Sequence, residues 1–396
     1  MLVASVMRKL LWALRYPTFA PESGPYRVGA IQTRVPGSVA CQIHYPADTT
    51  TKPPKGFYPY WRPQAVDGLA DYSRTSASLL QILSSRSHPC LINAEPLQGS
   101  FPLVVFSHGL GGTMEMYTQL CQQIASNGFV VVATEHEDGS GAYAESPLGE
   151  PILYKRPDDT PYSRTKVTTF RKPFLQQRVQ ETIQVLEFLV GNQKAGTDVP
   201  IAINPKLERI LQACDTQTGV SLLGHSFGGA SMILTAQEIL KSKTIQLKAL
   251  GVLDPWAFSL EESVIQQGIP PSDLPLLTIL SEAWLTNPET AQVDQFLQTS
   301  AATNSNNVAV KSFFVQNSVH ASFADSVSWL PGIVGKKLGL RGKNEGRHQT
   351  IPNVAQQCVQ HFQQKSSNAI MENLKEYDFY QGQQPQRQQT RVLEES

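Results

Sequence analysis

Residues 220–240 read VSLLGHSFGGASMILTAQEIL, and no other stretch constrains the fold of this chain as strongly. An apolar run stops at Gly224-His225-Ser226-Phe227-Gly228, and small residues then continue at helical spacing. A G-x-S-x-G placed between a buried strand and a helix makes a tight turn that strains its serine and lifts the hydroxyl above the sheet edge. Glycines stand two positions before and after the serine because side chains there would collide with the turn. The bare string is common and also fits a plain strand–helix turn. Its flanks are what make Ser226 the candidate nucleophile.

The same alternation extends along the chain. Short apolar runs at 102–107 (PLVVFS) and 129–134 (FVVVAT) predict buried parallel strands, with a helix over 114–126 between them. Further strands are expected at 220–223, 250–253, 274–280 and 308–315, and helices at 174–190 and 230–240. This order predicts an α/β chain with the α/β-hydrolase fold, a mostly parallel central sheet with helices on both faces. Before residue 100 the pattern is weaker, suggesting strands within 26–45 and one helix over 68–85. Residues 137–172 are polar and rich in Gly and Pro, which predicts an insert loop. Residues 364–396 are rich in Gln and charge and are expected to form a loose polar tail. Without a repeat or a break in composition, residues 1–396 are read as a single domain.

A serine hydroxyl needs an imidazole to take its proton and a carboxylate to hold that imidazole. In this fold the chain order is Ser, then Asp or Glu, then His. His320 follows the last apolar run in NSVHAS, where a loop carries it back over the sheet edge. Its rivals are His348, in the charged stretch GKNEGRHQ, and His361, inside a helical pattern; the first reads as solvated, the second as a surface or packing residue. Asp254 stands at the tip of the strand after the nucleophile helix, where an orienting acid belongs. Asp273 and Asp325 compete with it and read better as N-cap or surface residues. Two backbone amides should receive the oxyanion, that of Phe227 and one from the glycine-rich loop Ser107-His108-Gly109-Leu110-Gly111-Gly112. No GxxxxGK[ST] accompanies that loop, so a phosphate loop is disfavoured.

Composition narrows the field further. Lys plus Arg and Asp plus Glu number 33 each, so no global field gathers nucleic acid or an anionic surface. The five cysteines, Cys41, Cys90, Cys121, Cys214 and Cys358, show no metal-ligand or CxxC spacing and read as idle thiols in a reducing compartment. No HExxH or Cys/His cluster is present, so neither metal nor cofactor is expected. Glu135-His136-Glu137-Asp138 looks metal-like locally, but its place at a strand tip favours a structural or pocket-rim role. In MLVASVMRKLLWALRY the charges interrupt the apolar residues, unlike a secretory signal, which points to a cytoplasmic protein. Residues 1–20 are expected to form an amphipathic N-terminal helix, with Leu2, Val6, Leu10 and Leu14 near one face, lying on a membrane or packed as a frayed end.

Taken in order, FPLVVFSHGLGG, GFVVVATEHED, GHSFGGAS, LDPWAF and SVHASFAD resemble the platelet-activating-factor acetylhydrolases over roughly residues 100–335. The resemblance implies a calcium-independent serine phospholipase that removes short or oxidised acyl chains from the sn-2 position of phospholipids. It places the nucleophile on Ser226, the acid on Asp254, the base on His320 and the oxyanion amides on Leu110 and Phe227. Its expected partners are a phospholipid substrate and a membrane or lipoprotein surface, with 68–85 as a docking segment through Leu79, Leu80 and Leu83. Glu137 departs from the family's EHRD pattern, and Pro255 and Ala257 depart from LDAWM, so acyl and headgroup preference stay open. An esterase for another substrate, or a lipid-binding protein without activity, are the competing readings.

Overall fold

A computed structural model describes residues 19–52, 56–157, 163–191, 204–303, 309–325, 332–342, 345, 350–364 and 373–380. The predicted N-terminal helix and His348 lie outside the described residues, apart from Phe19 and Ala20. The chain enters through the antiparallel pair β1 (Val28–Arg34) and β2 (Ala40–Pro46). Two helices follow, α1 (Pro63–Ser73) and α2 (Ala77–Ser84), where one was expected. Arg74 splits them: it takes a left-handed conformation, φ 52°, and its amide turns back to Ala70 and Asp71. Next come β3 (Leu91–Ile92), β4 (Phe101–Ser107), α3 (Thr118–Ser126) and β5 (Val130–Thr134). The hairpin β6 (Tyr143–Glu145) and β7 (Pro151–Leu153) precedes α4 (Arg164–Leu189), α5 (Pro205–Gln212) and β8 (Cys214–Asp215). Then β9 (Val220–His225), α6 (Phe227–Ser242), β10 (Leu247–Leu253), α7 (Glu262–Gln267), β11 (Leu276–Ser281) and α8 (Thr290–Thr303) continue the alternation. The chain closes with β12 (Val310–Val315), α9 (Gly332–Lys337), α10 (Thr350–Phe362) and β13 (Leu374–Glu376).

The sheet runs β13-β12-β11-β10-β9-β4-β5-β2-β1-β3. From β12 to β5 neighbouring strands are parallel, while β2 and β13 add antiparallel neighbours on either side. Strands covered on both faces have no polar side to show, which is why β5 and β9 are buried throughout. Period-two alternation divides their side chains between two cores. Val105 and Leu222 join Leu186 of α4 and Ile233 of α6 on one face. Val104, Phe106 and Leu223 join Leu120 and Ile124 of α3 and Phe362 of α10 on the other. Each large apolar side chain buried this way contributes about 1.5–3 kcal/mol.

Three predicted boundaries move. The helix expected from 114 begins at Thr118, because the Glu115 carbonyl accepts from both the amide and the hydroxyl of Thr118 and holds the preceding turn open. The helix expected from 174 begins at Arg164, capped by the Ser163 hydroxyl, and runs through Pro173. It takes the end of the predicted insert loop, whose middle forms the β6–β7 hairpin. The supposed tail contains β13, with Tyr377 and Phe379 buried beyond it. Without β13 the backbone of β12 would be an unpaired sheet edge. All five cysteines are unpaired, four of them buried and Cys214 partly so.

Candidate active site

The turn after β9 is built as the glycine spacing requires. Ser226 has φ 56° and ψ −120°, outside the regions open to most residues. Its N–H donates to the Leu253 carbonyl at 2.9 Å, and its own carbonyl accepts from the Trp256 amide at 3.0 Å, so the end of β10 holds both sides of the turn. A Cβ on Gly224 would lie 2.3 Å from the Gly228 carbonyl oxygen, and one on Gly228 would lie 2.1 Å from that of Ser107. Both glycines are therefore fixed by sterics, and the second lets α6 press against the end of β4.

Two further loops at the carboxyl ends of the parallel strands bring the partners. His320 Nε2 lies 2.9 Å from Ser226 Oγ, and its Nδ1 lies 3.1 Å from Asp254 Oδ2. A carboxylate only accepts, so Asp254 fixes the ring proton on Nδ1 and leaves the Nε2 lone pair facing the serine proton. Asp254 is fully buried and also accepts the Ser281 amide at 2.7 Å and the Ser281 hydroxyl at 2.6 Å. Trp284 stacks on the His320 ring, centroids 4.5 Å apart at 19°. On another side of His320 lies His225, centroids 4.5 Å apart. Burial first, with the neighbouring His320 ring second, holds the pKa of His225 well below the ordinary histidine value, so the second imidazole stays neutral.

The candidate oxyanion loop is clamped by side chains of the protein itself. The His108 carbonyl accepts from Arg178 Nη1 at 2.6 Å, and the Gly109 N–H donates to the Tyr117 hydroxyl at 3.1 Å, so one peptide plane is held from both sides. Having accepted there, the Tyr117 hydroxyl has its own proton for His225 Nδ1, 2.8 Å away. The next carbonyl, Gly109, accepts from the Gly112 amide at 3.0 Å and lies 2.9 Å from His108 Nδ1. In a trans peptide the Leu110 N–H then points the opposite way. Loop and serine are adjacent, since a Cβ on Gly109 would lie 3.2 Å from Ser226 Cβ. Arg178 is fully buried, paired with Asp138 at 3.1 Å, and its guanidinium lies 4.8 Å from the centre of the Phe227 ring. It thus touches both segments that carry the candidate oxyanion amides.

The family model described as platelet-activating factor acetylhydrolase, isoform II, matches residues 15–389. The chain belongs to this family. The platelet-activating factor acetylhydrolase of Cavia porcellus is 29% identical over 354 residues, 84% of this chain and 75% of that protein. Its counterpart from Gallus gallus is 29% identical over 311 residues, 72% and 68% of the two chains. A putative phospholipase A2 of Schizosaccharomyces pombe is 26% identical over 294 residues, 63% and 64%. Among solved structures, a ferulic acid esterase from Streptomyces cinnamoneus superimposes with a TM-score of 0.60 at 16% identity, covering 91% of this chain and 99% of its own. That likeness shows the α/β-hydrolase fold. As a member of the acetylhydrolase family the protein is a carboxylic ester hydrolase.

Other residues weighed in the sequence fall elsewhere in this acetylhydrolase-family chain. Asp273 is exposed, and His361 packs with Nε2 3.2 Å from the Leu250 carbonyl oxygen. Asp325 corrects its expected surface place: it is fully buried, accepts the Tyr60 hydroxyl at 2.5 Å and the Gln119 amide at 3.2 Å, and ties the His320 loop to the start of α3. It is the N-cap of no helix among the described residues, and the N-cap position of α3 is Tyr117. In Glu135-His136-Glu137-Asp138, Glu135 pairs with Arg62, Glu137 with Arg34 and Asp138 with Arg178. His136 lies 2.8 Å from both Ser107 Oγ and Glu181 Oε2. Burial first, and the Asp138 charge second, raise Glu181 to about 8. Arg178, Tyr117, His225 and Trp284 were not singled out from the sequence. One signal for Arg178 was there: it falls in line with Phe174, Leu175, Thr182, Val185 and Leu186 on the buried stripe of α4.

Proposed function

We propose that this protein hydrolyses the sn-2 acetyl or oxidised short-acyl ester of platelet-activating-factor-like phospholipids without calcium. Ser226 is the nucleophile, His320 the general base and Asp254 the acid that orients it. The observation that carries this reading is the unbroken hydrogen-bonded series Asp254–His320–Ser226, set at strand ends in a chain of the acetylhydrolase family. Ser226 Oγ attacks the ester carbonyl carbon while His320 Nε2 takes its proton. The negative oxygen that forms is received by the N–H groups of Leu110 and Phe227. Collapse breaks the ester C–O bond, and the lysophospholipid oxygen leaves with the proton from His320. Water, deprotonated in turn by His320, then frees the acyl group from Ser226. Each charge that develops meets a group of the chain, which supports activity without a calcium ion.

We also propose that residues 1–396 act as one hydrolase domain that touches lipid surfaces peripherally. No helix among the described residues is long and apolar enough to cross a membrane. The exposed apolar side chains Leu79 and Ile82 of α2 support surface contact.

The decisive experiment measures acetate release from a 2-acetyl phospholipid, with and without a calcium chelator, for the wild type and Ser226→Ala. Chelator-resistant release that disappears in the variant is the expected result. Cleavage of a soluble nitrophenyl ester but not of the phospholipid would remove the substrate while leaving the mechanism.

A further inference from the structure

Arg171 lies on α4 with only 2% of its surface exposed. Its Nη2 donates to the Tyr154 hydroxyl at 2.6 Å. Three aromatic rings surround the guanidinium, with centroids 4.7 Å away for Phe170 and 5.3 Å for Phe174 and Tyr154. Nη1 is buried and meets no acceptor, and no carboxylate among the described residues pairs with the group. Two turns along the same helix Arg178 is equally buried, but it has Asp138. A buried cation without a counter-ion is unfavourable, and aromatic faces offset only part of that cost.

The surroundings of Arg171 indicate what kind of anion it would meet. Thr168, one turn earlier, donates to the Phe258 carbonyl at 2.8 Å, in the segment that follows Asp254. Arg178, on the other side, holds the His108 carbonyl of the oxyanion loop. Tyr154 packs edge-on against Tyr72 with centroids 4.7 Å apart, and Tyr72 fills the space beside Gly111 in that same loop. Arg171 therefore lies on the part of α4 between Thr168, which touches the segment after β10, and Arg178, which touches the loop after β4. Having accepted from Nη2, the Tyr154 hydroxyl still has its own proton to give.

We propose that Arg171 and Tyr154 form the subsite for the phosphodiester of the phospholipid substrate, with Nη1 and the tyrosine hydroxyl donating to its non-bridging oxygens. This rests on the reading that Ser226 cleaves the sn-2 ester, since the phosphate is joined to that ester through the glycerol backbone. A guanidinium offers several N–H groups in one plane to a phosphate, which suits it to this task. The same chemistry would hold a free phosphate ion, and the test separates the two.

Wild type, Arg171→Gln and Arg171→Lys are compared on three esters: a 2-acetyl phospholipid, the corresponding 1-alkyl-2-acetylglycerol without phosphate, and p-nitrophenyl acetate. Arg171→Gln should raise KM for the phospholipid about tenfold or more while changing the two phosphate-free esters by less than about twofold, and the lysine variant should recover part of the loss. Glycerophosphocholine should inhibit nitrophenyl ester hydrolysis by the wild type and lose that effect in Arg171→Gln. If Arg171→Gln fails to fold, the lysine variant carries the test, with the phospholipid again singled out. An equal loss on all three esters would make Arg171 a packing residue and overturn the assignment. Inhibition by inorganic phosphate with an unmoved phospholipid KM would overturn it in favour of a free-ion site. A wild type inert toward all three esters defeats the Ser226 reading itself, whereas an active wild type with unchanged variants defeats only Arg171.

Discussion

At the scale of single residues, the site depends on groups held where their chemistry is least comfortable. The Ser226 backbone conformation costs on the order of 1–3 kcal/mol, and it persists because Leu253 at the end of β10 and Trp256 just beyond it fasten both sides of the residue. Asp325 is a second case. Burial raises its pKa to about 7, against which the Tyr60 hydroxyl and the Gln119 amide only partly hold it down. The unfolded chain sheds this proton near pH 4 and the folded chain near 7. The fold therefore binds the proton more tightly, and this group's contribution to stability falls as pH rises through that interval, then levels off. Asp325→Asn, which keeps an acceptor for Tyr60 and Gln119, should flatten the stability profile between about pH 4 and 7, by at most about 4 kcal/mol. Urea unfolding across that range checks it, and parallel curves for wild type and variant would refute it.

At the scale of elements, α2 offers the sharpest test. Leu79 and Ile82 are each 49% exposed, while Leu80 turns inward onto the small core of Tyr60, Trp61, Val66 and Leu69. Replacing Leu79 and Ile82 together with serine should weaken sedimentation with phosphatidylcholine vesicles by about tenfold. The rate on a soluble ester should not change; unaltered vesicle binding would remove α2 as a docking element. Of the three leucines expected from the sequence, Leu79 is exposed, Leu80 turns inward and the side chain of Leu83 lies outside the described residues; helical spacing shows which residues share a face, not which face another layer covers. The parallel strands were legible because burial on both faces leaves unbroken apolar runs, as in PLVVFS and FVVVAT. The members of the site were legible too, because strand ends and glycine spacing are local. Arg178 showed only its place on the buried stripe of α4, and Asp325 showed nothing, since a buried charge is spelled like an exposed one until its partner, Asp138 or Tyr60, arrives from elsewhere in the chain. Arg164 as a helix start was hidden by Pro173, which reads as a first-turn residue although the helix tolerates it mid-way.

At the scale of the whole molecule, the sheet is closed at its β12 side by residues 374–380. Phe379 is buried, its carbonyl accepts from Gln298 Nε2 at 2.7 Å, and Tyr377 donates to Asp294 at 3.1 Å. Phe379→Ala should cost about 2–4 kcal/mol in urea unfolding without altering the rate on a soluble ester, because this edge lies beyond the strands that carry Ser226 and Asp254. A stability equal to wild type would mean that β13 adds little to the fold. The sealed thiols have another consequence. Cys41 sits in the core on the α6 side of the sheet, and Cys121 and Cys358 sit in the core on the α3 side. A water-borne alkylating reagent reaches each of them only while the layer above it is parted. The chain thus carries two built-in clocks, one under each coat of helices, and their rates of capping time how often either coat lifts.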